Sequence, residues 1–263
     1  MSEIKIYVLT HKKFDYEKNY LYEPLLNGST LLSEDYGYTR DDTGDNISSL
    51  NPYYAELTGQ YWAWKNSNAD IIGFCHYRRY LVKNIFLKKL DEEDIRTALK
   101  DHDIIMPQKR YMNKTNRQEI FEGHMNDGIC QTVEDYDLLE EIIKENSPEY
   151  LESFREVLNE KECYWFNIYI CKKEIFDDYF SWMFPILEEF RKRTDFSKYE
   201  DGNTRVLGYL SERLINVYLK KHNLKVKEQF VYQTELRIPL LTLIENRSPF
   251  FQKLFKAILK AGV

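Results

Sequence analysis

Two apolar runs that each end abruptly in ionisable side chains constrain this chain most. Ile4 to Leu9 stops at Thr10 and His11, and Ile71-Ile-Gly-Phe74 runs into Cys75-His-Tyr-Arg-Arg79. Runs this apolar, the first interrupted only by Lys5, fit strands buried on both faces, as in a central parallel sheet. Their charged ends cannot enter a core without partners. They belong at the carboxyl ends of strands, where open α/β sheets bind their ligands.

Helical patterns separate the runs. Asn51 reads as an N-cap with Pro52 at the first helical position, and Tyr54, Leu57, Tyr61 and Trp64 then recur as one stripe facing a core. Asp91-Glu-Glu-Asp94 opens another helix with acid and Lys100 closes it, matching the helix dipole. Asp103-Ile-Ile-Met106 reads as a third strand stopped by Pro107, with helices following at about 135 to 145 and 148 to 158. Trp165 to Cys171 reads as a fourth strand, feeding a helix with Ile175, Tyr179, Met183, Leu187 and Phe190 on one side. Arg205 to Lys221 is a further helix, and Leu224 to Tyr232 a late strand at an edge. This alternation predicts an α/β fold with a mostly parallel sheet flanked by helices.

Composition narrows the function. The 263 residues suit one large domain or two small ones, and 37 Lys and Arg against 43 Asp and Glu leave a net charge of −6. That balance argues against a general nucleic-acid binder, whose affinity rests on neutralising phosphates. The 21 Tyr and 15 Phe either fill an aromatic core or offer stacking faces to sugars or bases. Tyr77, Tyr80 and Tyr209 sit beside the polar motifs and are the rings placed for ligand contact. Met1 to Thr10 is strand-like, and the longest apolar runs fall short of a bilayer span, so a cytoplasmic location is expected. Cys75, Cys130, Cys163 and Cys171 form no C-x-x-C pair and read as reduced, buried thiols.

Three places can carry chemistry. Guanidinium groups match phosphate oxygens bidentately, so His76-Tyr-Arg-Arg79 at a strand end suits a diphosphate; ion pairs with the chain's own carboxylates are the alternative. In continued extended geometry His76 and Arg78 share one face, and Tyr77 and Arg79 the other. The loop Asp41-Asp-Thr-Gly-Asp-Asn46 either offers Asp45 and Asn46 to ribose or base groups or is an Asx-rich turn ahead of a helix. On the later helix Leu207, Leu210, Leu214 and Val217 form one side, while Arg205, Gly208 and Glu212 gather on the other, as solvated surface or the wall of a cleft. A helical glycine costs about 1 kcal/mol against alanine, which at Gly208 points to close approach by a ligand. His124, in Glu122-Gly-His-Met-Asn-Asp127, lies in a predicted loop where it can contact an acceptor. No P-loop, G-x-G-x-x-G, H-E-x-x-H or G-x-S-x-G occurs. The one Asp-x-Asp, Asp101-His-Asp103, precedes its strand, the wrong end for a metal-diphosphate site.

Several segments, in order, resemble a known family: Thr10-His-Lys-Lys13, Gly44-Asp-Asn-Ile-Ser48, Glu56-Leu-Thr58 with Tyr61-Trp-Ala-Trp-Lys-Asn66, Gly73-Phe-Cys-His-Tyr-Arg-Arg-Tyr80, and Gly208-Tyr-Leu-Ser-Glu-Arg-Leu214. Across about residues 4 to 232 the chain resembles the bacterial domain of unknown function 4422 family, described as glycosyltransferases of capsule, exopolysaccharide and O-antigen synthesis. The resemblance implies a glycosyltransferase A-type fold, Rossmann-like, binding a nucleotide sugar at its strand ends. By the same resemblance the donor is a UDP-sugar, with galactose in pyranose or furanose form as first choice, and the acceptor a polyprenyl-linked saccharide. Thr10, His11, Asp45 and Asn46 are assigned to the nucleotide on the resemblance and, for the first two, on strand-end position. Many such enzymes hold manganese or magnesium on the diphosphate with an Asp-x-Asp. His76-Tyr-Arg78 stands there instead, so no cofactor is certain, and Arg78 or Arg79, helped by His76, is expected to replace the cation, with Arg205 assigned to donor binding. Glu212 is the preferred base or acceptor ligand, with Asp127 second and His124 beside it.

The expected division is a catalytic domain over residues 1–235 and a helical tail over 236–263. From Pro249 onward Phe250, Phe251, Leu254, Phe255, Ile258 and Leu259 share helical spacing, with Lys253, Lys256 and Lys260 between them. Such a basic amphipathic helix either lies on an inner-leaflet membrane surface, making the protein peripheral there, or docks on the protein's own core. The rival to an enzyme is a non-catalytic carbohydrate-binding or scaffold subunit of a polysaccharide assembly complex.

Overall fold

The computed structural model describes residues 2–84, 86–112, 114–118, 132–199 and 204–235. Strand β1 (Ile4–Thr10) is followed by β2 (Tyr22–Leu26), β3 (Thr39–Arg40), helices α1 (Asn51–Tyr54) and α2 (Leu57–Asn66), and strands β4 (Ile71–His76) and β5 (Arg79–Val82). Helix α3 (Glu92–Asp101), strands β6 (Ile104–Pro107) and β7 (Arg110–Tyr111), and helices α4 (Val133–Asn146) and α5 (Leu151–Asn159) come next. Strands β8 (Glu162–Cys163) and β9 (Tyr169–Lys172), helices α6 (Lys173–Arg193) and α7 (Val206–Lys221), and strand β10 (Val226–Gln233) complete the described chain.

Eight strands form one sheet in the order β3-β2-β1-β4-β5-β10-β6-β9, and β9 pairs again with β4. The half built on β1 is parallel, as expected: β1 pairs with β2 on one side and with β4 on the other, and β2 with β3. The other half departs from the mostly parallel expectation. There β4–β5, β5–β10, β6–β9 and β4–β9 are antiparallel and only β6–β10 is parallel, so the pairings from β4 round to β9 close into a ring. Strand β10 therefore lies between β5 and β6, not at an edge. Its polar sequence misled because Val231 alone in the strand is fully buried, although both its edges are hydrogen-bonded.

Alternation along the strands builds two cores. Tyr7, Leu9, Ile72, Phe74, Ile104 and Met106 pack under Tyr54, Leu57 and the buried sides of α4 to α7, while Ile4, Ile6, Val8, Cys75, Ile105 and Ile170 pack on the other face with Ile95 and Leu99 of α3. Most of the aromatic excess goes here: Trp64 stacks on Phe184 at 5.7 Å, and Phe176, Phe180 and Phe190 are fully buried. Cys75, Cys163 and Cys171 are buried free thiols, as expected; Cys130 lies outside the described residues. The acid-opened helix is capped by reciprocal bonds between Asp91 and Asp94.

Two further expectations are corrected. The stripe from Tyr54 to Trp64 is not one helix, because Ala55 takes φ 49°, ψ −126° between α1 and α2. The fourth strand begins only at Tyr169, because Phe166 (φ 85°) and Asn167 (φ 48°) turn the chain first. No helix among the described residues is long and apolar enough to cross a membrane. The expected amphipathic tail lies outside the described residues, as do His124 and Asp127.

Candidate functional site

From β1 the chain steps to β2 and β3 on one side, then returns to β4 on the other. That reversal leaves a crevice at the carboxyl ends of β1 and β4, the place where open α/β sheets take ligands. A cavity of about 350 Å³ lies there, lined at the strand ends by Leu9, Cys75 and His76. The expected extended continuation of β4 does not occur. His76 pairs with Arg79 across a tight turn at Tyr77 and Arg78, and this hairpin brings His76, Arg78 and Arg79 together onto one cavity wall. Tyr77 turns away, 7% exposed and 5.6 Å from the His11 ring.

The facing wall comes from the two corrected corners and α7. The break at Ala55 brings Glu56 to the cavity, which Ala55 also lines. The left-handed turn before β9 supplies Trp165, Phe166 and Asn167. Helix α7 supplies Gly208, Tyr209 and Glu212, with Arg205 at its start, so the polar side of that helix is the wall of a cleft. A Cβ at Gly208 would meet Ala55 Cβ at 3.6 Å and Glu56 Oε2 at 3.7 Å, so the glycine is close to the chain's own corner.

The electrostatics are divided. Arg78 Nη1 pairs with Glu235 at 3.2 Å, but its buried Nε has no partner. Arg79 has no carboxylate within ion-pair distance among the described residues; its buried Nε is also unpartnered, and its guanidinium lies 4.6 Å from the Phe166 ring. Burial and the Arg79 and Arg78 charges push the His76 imidazole down to about 3, so it is neutral at physiological pH. Glu212 lies opposite. Burial, then the nearby Glu56 charge, outweigh Arg213, the Phe166 N–H and Arg79 and raise its carboxyl to about 7. A group so placed can exchange a proton near neutrality. Buried, unpartnered guanidinium nitrogens on the other wall call for an anion.

Of the residues singled out in the sequence, His76, Arg78, Arg79, Arg205 and Glu212 line the cavity. Thr10 and His11 end β1 but do not line it. The Thr10 hydroxyl donates to Lys12 O at 2.7 Å, while burial and the Arg205, Lys12 and Arg78 charges lower the His11 imidazole. Asp45 and Asn46 do not line it either. Asp45 accepts from the Tyr61 hydroxyl at 3.2 Å, and the Asn66 amide holds its backbone, so the turn braces the end of α2. Asp41 likewise is structural, buried beneath the backbone N–H groups of Gly28 and Ser29. Tyr209 is a lining ring, whereas Tyr80 is 4% exposed in the core. Glu56, Arg110, Trp165, Phe166 and Asn167 receive no site role from the sequence; the signals for Glu56 are its place at the head of a family segment and a carboxylate interrupting an aromatic stripe.

The described residues at this strand end offer guanidinium groups more than the oxygen ligands a divalent cation takes. Four guanidinium groups, Arg78, Arg79, Arg110 and Arg205, share the cavity with only two carboxylates, and no group of three or more His, Cys, Asp or Glu side chains among the described residues has metal-ligating geometry.

Fold and cavity together define a mixed α/β protein with a guanidinium-rich cavity at a topological switch point. The chain belongs to the domain of unknown function 4422 (DUF4422) family, whose model matches residues 5–223. None of the curated proteins matches it. Among solved structures it is similar to the apo structure of the bifunctional glycosyltransferase WbbM, at 30% identity and a TM-score of 0.80. The alignment covers 89% of this chain and 46% of that one, so the chain spans about half the length of WbbM.

Proposed function

We propose that this chain is a glycosyltransferase of A-type fold that takes a nucleotide-sugar donor at the β1–β4 crevice. The observation that carries this reading is the pairing of an unpartnered, buried Arg79 Nε with a facing Glu212 raised to about 7, in one cavity at the strand ends. Similarity to WbbM supports the same chemistry.

In this reading Arg79, with Arg78 and Arg205, holds the donor diphosphate. The acceptor hydroxyl oxygen attacks the anomeric carbon, and the carbon–oxygen bond to the β-phosphate breaks with its electron pair on the phosphate. Glu212, as carboxylate, takes the hydroxyl proton. The guanidinium groups stabilise the charge developing on the leaving diphosphate, the role a metal ion has elsewhere. Neutral His76 can donate one ring N–H there without competing for the anion. Thr10 and His11, outside the cavity lining, remain within the nucleotide assignment on the family resemblance, and His124 and Asp127 within the acceptor assignment.

UDP as nucleotide, galactose as sugar and a polyprenyl-linked saccharide as acceptor rest on the family resemblance. The basic amphipathic pattern of residues 249–263 supports contact with an inner-leaflet surface; equal liposome binding by the chain with and without that segment would refute it. The main test is calorimetric titration of the protein with UDP and UDP-hexoses, followed by assay for sugar transfer or donor hydrolysis. Binding weakened roughly 10- to 100-fold in Arg79→Ala is expected. A protein that binds no nucleotide diphosphate overturns the reading, and one that binds without turnover is a carbohydrate-binding subunit.

A further inference from the structure

Glu56 is the second carboxylate of the cavity, and its surroundings are more constrained than those of Glu212. The Asn167 side-chain amide donates to Glu56 Oε1 at 2.8 Å and to the Gly208 carbonyl at 3.0 Å. Asn167 is itself fixed: its Oδ1 accepts from the Ser211 hydroxyl at 3.1 Å, and its backbone carbonyl accepts from Gln60 Nε2 at 2.9 Å. Every polar group of that side chain is committed, it is 4% exposed, and its left-handed backbone suits asparagine better than most residues. One Glu56 oxygen is therefore held, while Oε2 lies over Gly208 with no partner among the described residues and the side chain lines the cavity.

A carboxylate repels a diphosphate, so Glu56 cannot serve the anion that the arginines receive. Ionised, it only accepts hydrogen bonds, and it needs a donor-rich, uncharged ligand beside the anion. We infer that Glu56, aimed by Asn167, is a substrate-contacting carboxylate that accepts hydrogen bonds from hydroxyl groups of the transferred sugar. This rests on the glycosyltransferase reading and adds to it the group that distinguishes a nucleotide sugar from a bare nucleotide. Asn167 is a positioning residue: its role is to keep Glu56 from turning toward the arginines.

The test compares calorimetric affinities for UDP and for UDP-galactose, UDP-glucose and UDP-N-acetylglucosamine in the wild-type chain, Glu56→Gln and Asn167→Asp. The wild type should bind its best UDP-sugar more tightly than UDP. Glu56→Gln keeps the shape and the bond to Asn167, and should leave UDP affinity within about two-fold while weakening the UDP-sugar about ten-fold or more, the size of a charge-assisted hydrogen bond. Asn167→Asp should show the same sugar-selective loss. Equal loss for UDP and UDP-sugar, unchanged UDP-sugar affinity in Glu56→Gln, or a wild type indifferent to the sugar overturns the inference while the glycosyltransferase reading stands. Absence of all nucleotide binding by the wild type overturns both.

Discussion

Glu212 Oε1 accepts the backbone N–H of Phe166 at 3.2 Å. This bond ties α7 to a corner where a bulky residue sits at φ 85°, a conformation costing about 1–3 kcal/mol that persists only where its surroundings enforce it. The ring of the same Phe166 lies 4.6 Å from the Arg79 guanidinium. One residue with a left-handed backbone thus touches both the carboxyl and the guanidinium of the site.

The first prediction follows from Glu212. With its carboxyl raised to about 7, kcat/KM for transfer should fall below pH 7 on an acid limb centred near that value, and Glu212→Gln should lower turnover at least 100-fold. Stability has the opposite sense. Below the unfolded-state value both states are protonated and nothing is lost; between that value and about 7 the unfolded chain ionises while the folded protein stays protonated, so stability falls across that window and the loss is complete above it. Glu212→Gln should therefore raise the melting temperature more at pH 8 than at pH 4. An acid limb near 4.5, or a uniform shift in melting temperature, would contradict the assignment.

Arg79 gives the second. Its burial lowers the guanidinium's affinity for its proton, with the Arg78 charge adding to the effect, and it lacks an ion-pair partner among the described residues. Removing it relieves an uncompensated charge, so Arg79→Ala should leave the apo protein at least as stable while weakening UDP binding roughly 10- to 100-fold. Arg79→Lys should recover only part of the loss, since an ammonium cannot bind two phosphate oxygens in parallel. Thermal shift with and without UDP separates the two effects; destabilised apo protein would mean that Arg79 is a structural residue.

The strand ends were legible because their chemistry is local: an apolar run stopped by His76, Arg78 and Arg79 has few places to go in an α/β sheet. The polar face of α7 was legible for the same reason, since helical spacing alone groups Arg205, Gly208 and Glu212. What escaped depends on backbone torsions that spacing does not encode. Ala55, Phe166 and Asn167 adopt positive φ without glycine, and these corners bring Glu56, Trp165 and Asn167 to the cavity. The loop around Asp45 has the hydrogen bonding of an Asx-rich turn, the alternative its sequence offered, with bonds to Tyr61 and Asn66. Strand β10 reads as an edge strand from sequence, yet hydrogen bonding of both backbone edges puts it inside the ring.

Metal removal gives the third. If Arg78, Arg79 and Arg205 hold the donor diphosphate as proposed, they would supply the positive charge a metal ion would otherwise supply, and transfer should proceed in EDTA within about two-fold of the untreated rate. Complete loss in EDTA with recovery on adding manganese would show that the arginines do not replace a cation.

The last prediction concerns the frame that holds the hairpin. Gly73 of β4 faces Ile170 of β9 across an antiparallel pair, and a Cβ at Gly73 would lie 2.6 Å from Ile170 Cγ1, closer than packed carbons approach. Ile170 is 1% exposed, and its branched side chain has little room to move. Gly73→Ala should cost about 1–3 kcal/mol by overpacking, read as a lower midpoint in urea unfolding. Ile170→Ala alone should cost about 2–5 kcal/mol through the cavity it leaves. In the double variant the new methyl occupies part of that cavity, so the combined loss should be clearly smaller than the sum of the two. Strict additivity would show that the two residues do not meet across β4 and β9, and that the ring closing behind the His76 hairpin is not packed as described.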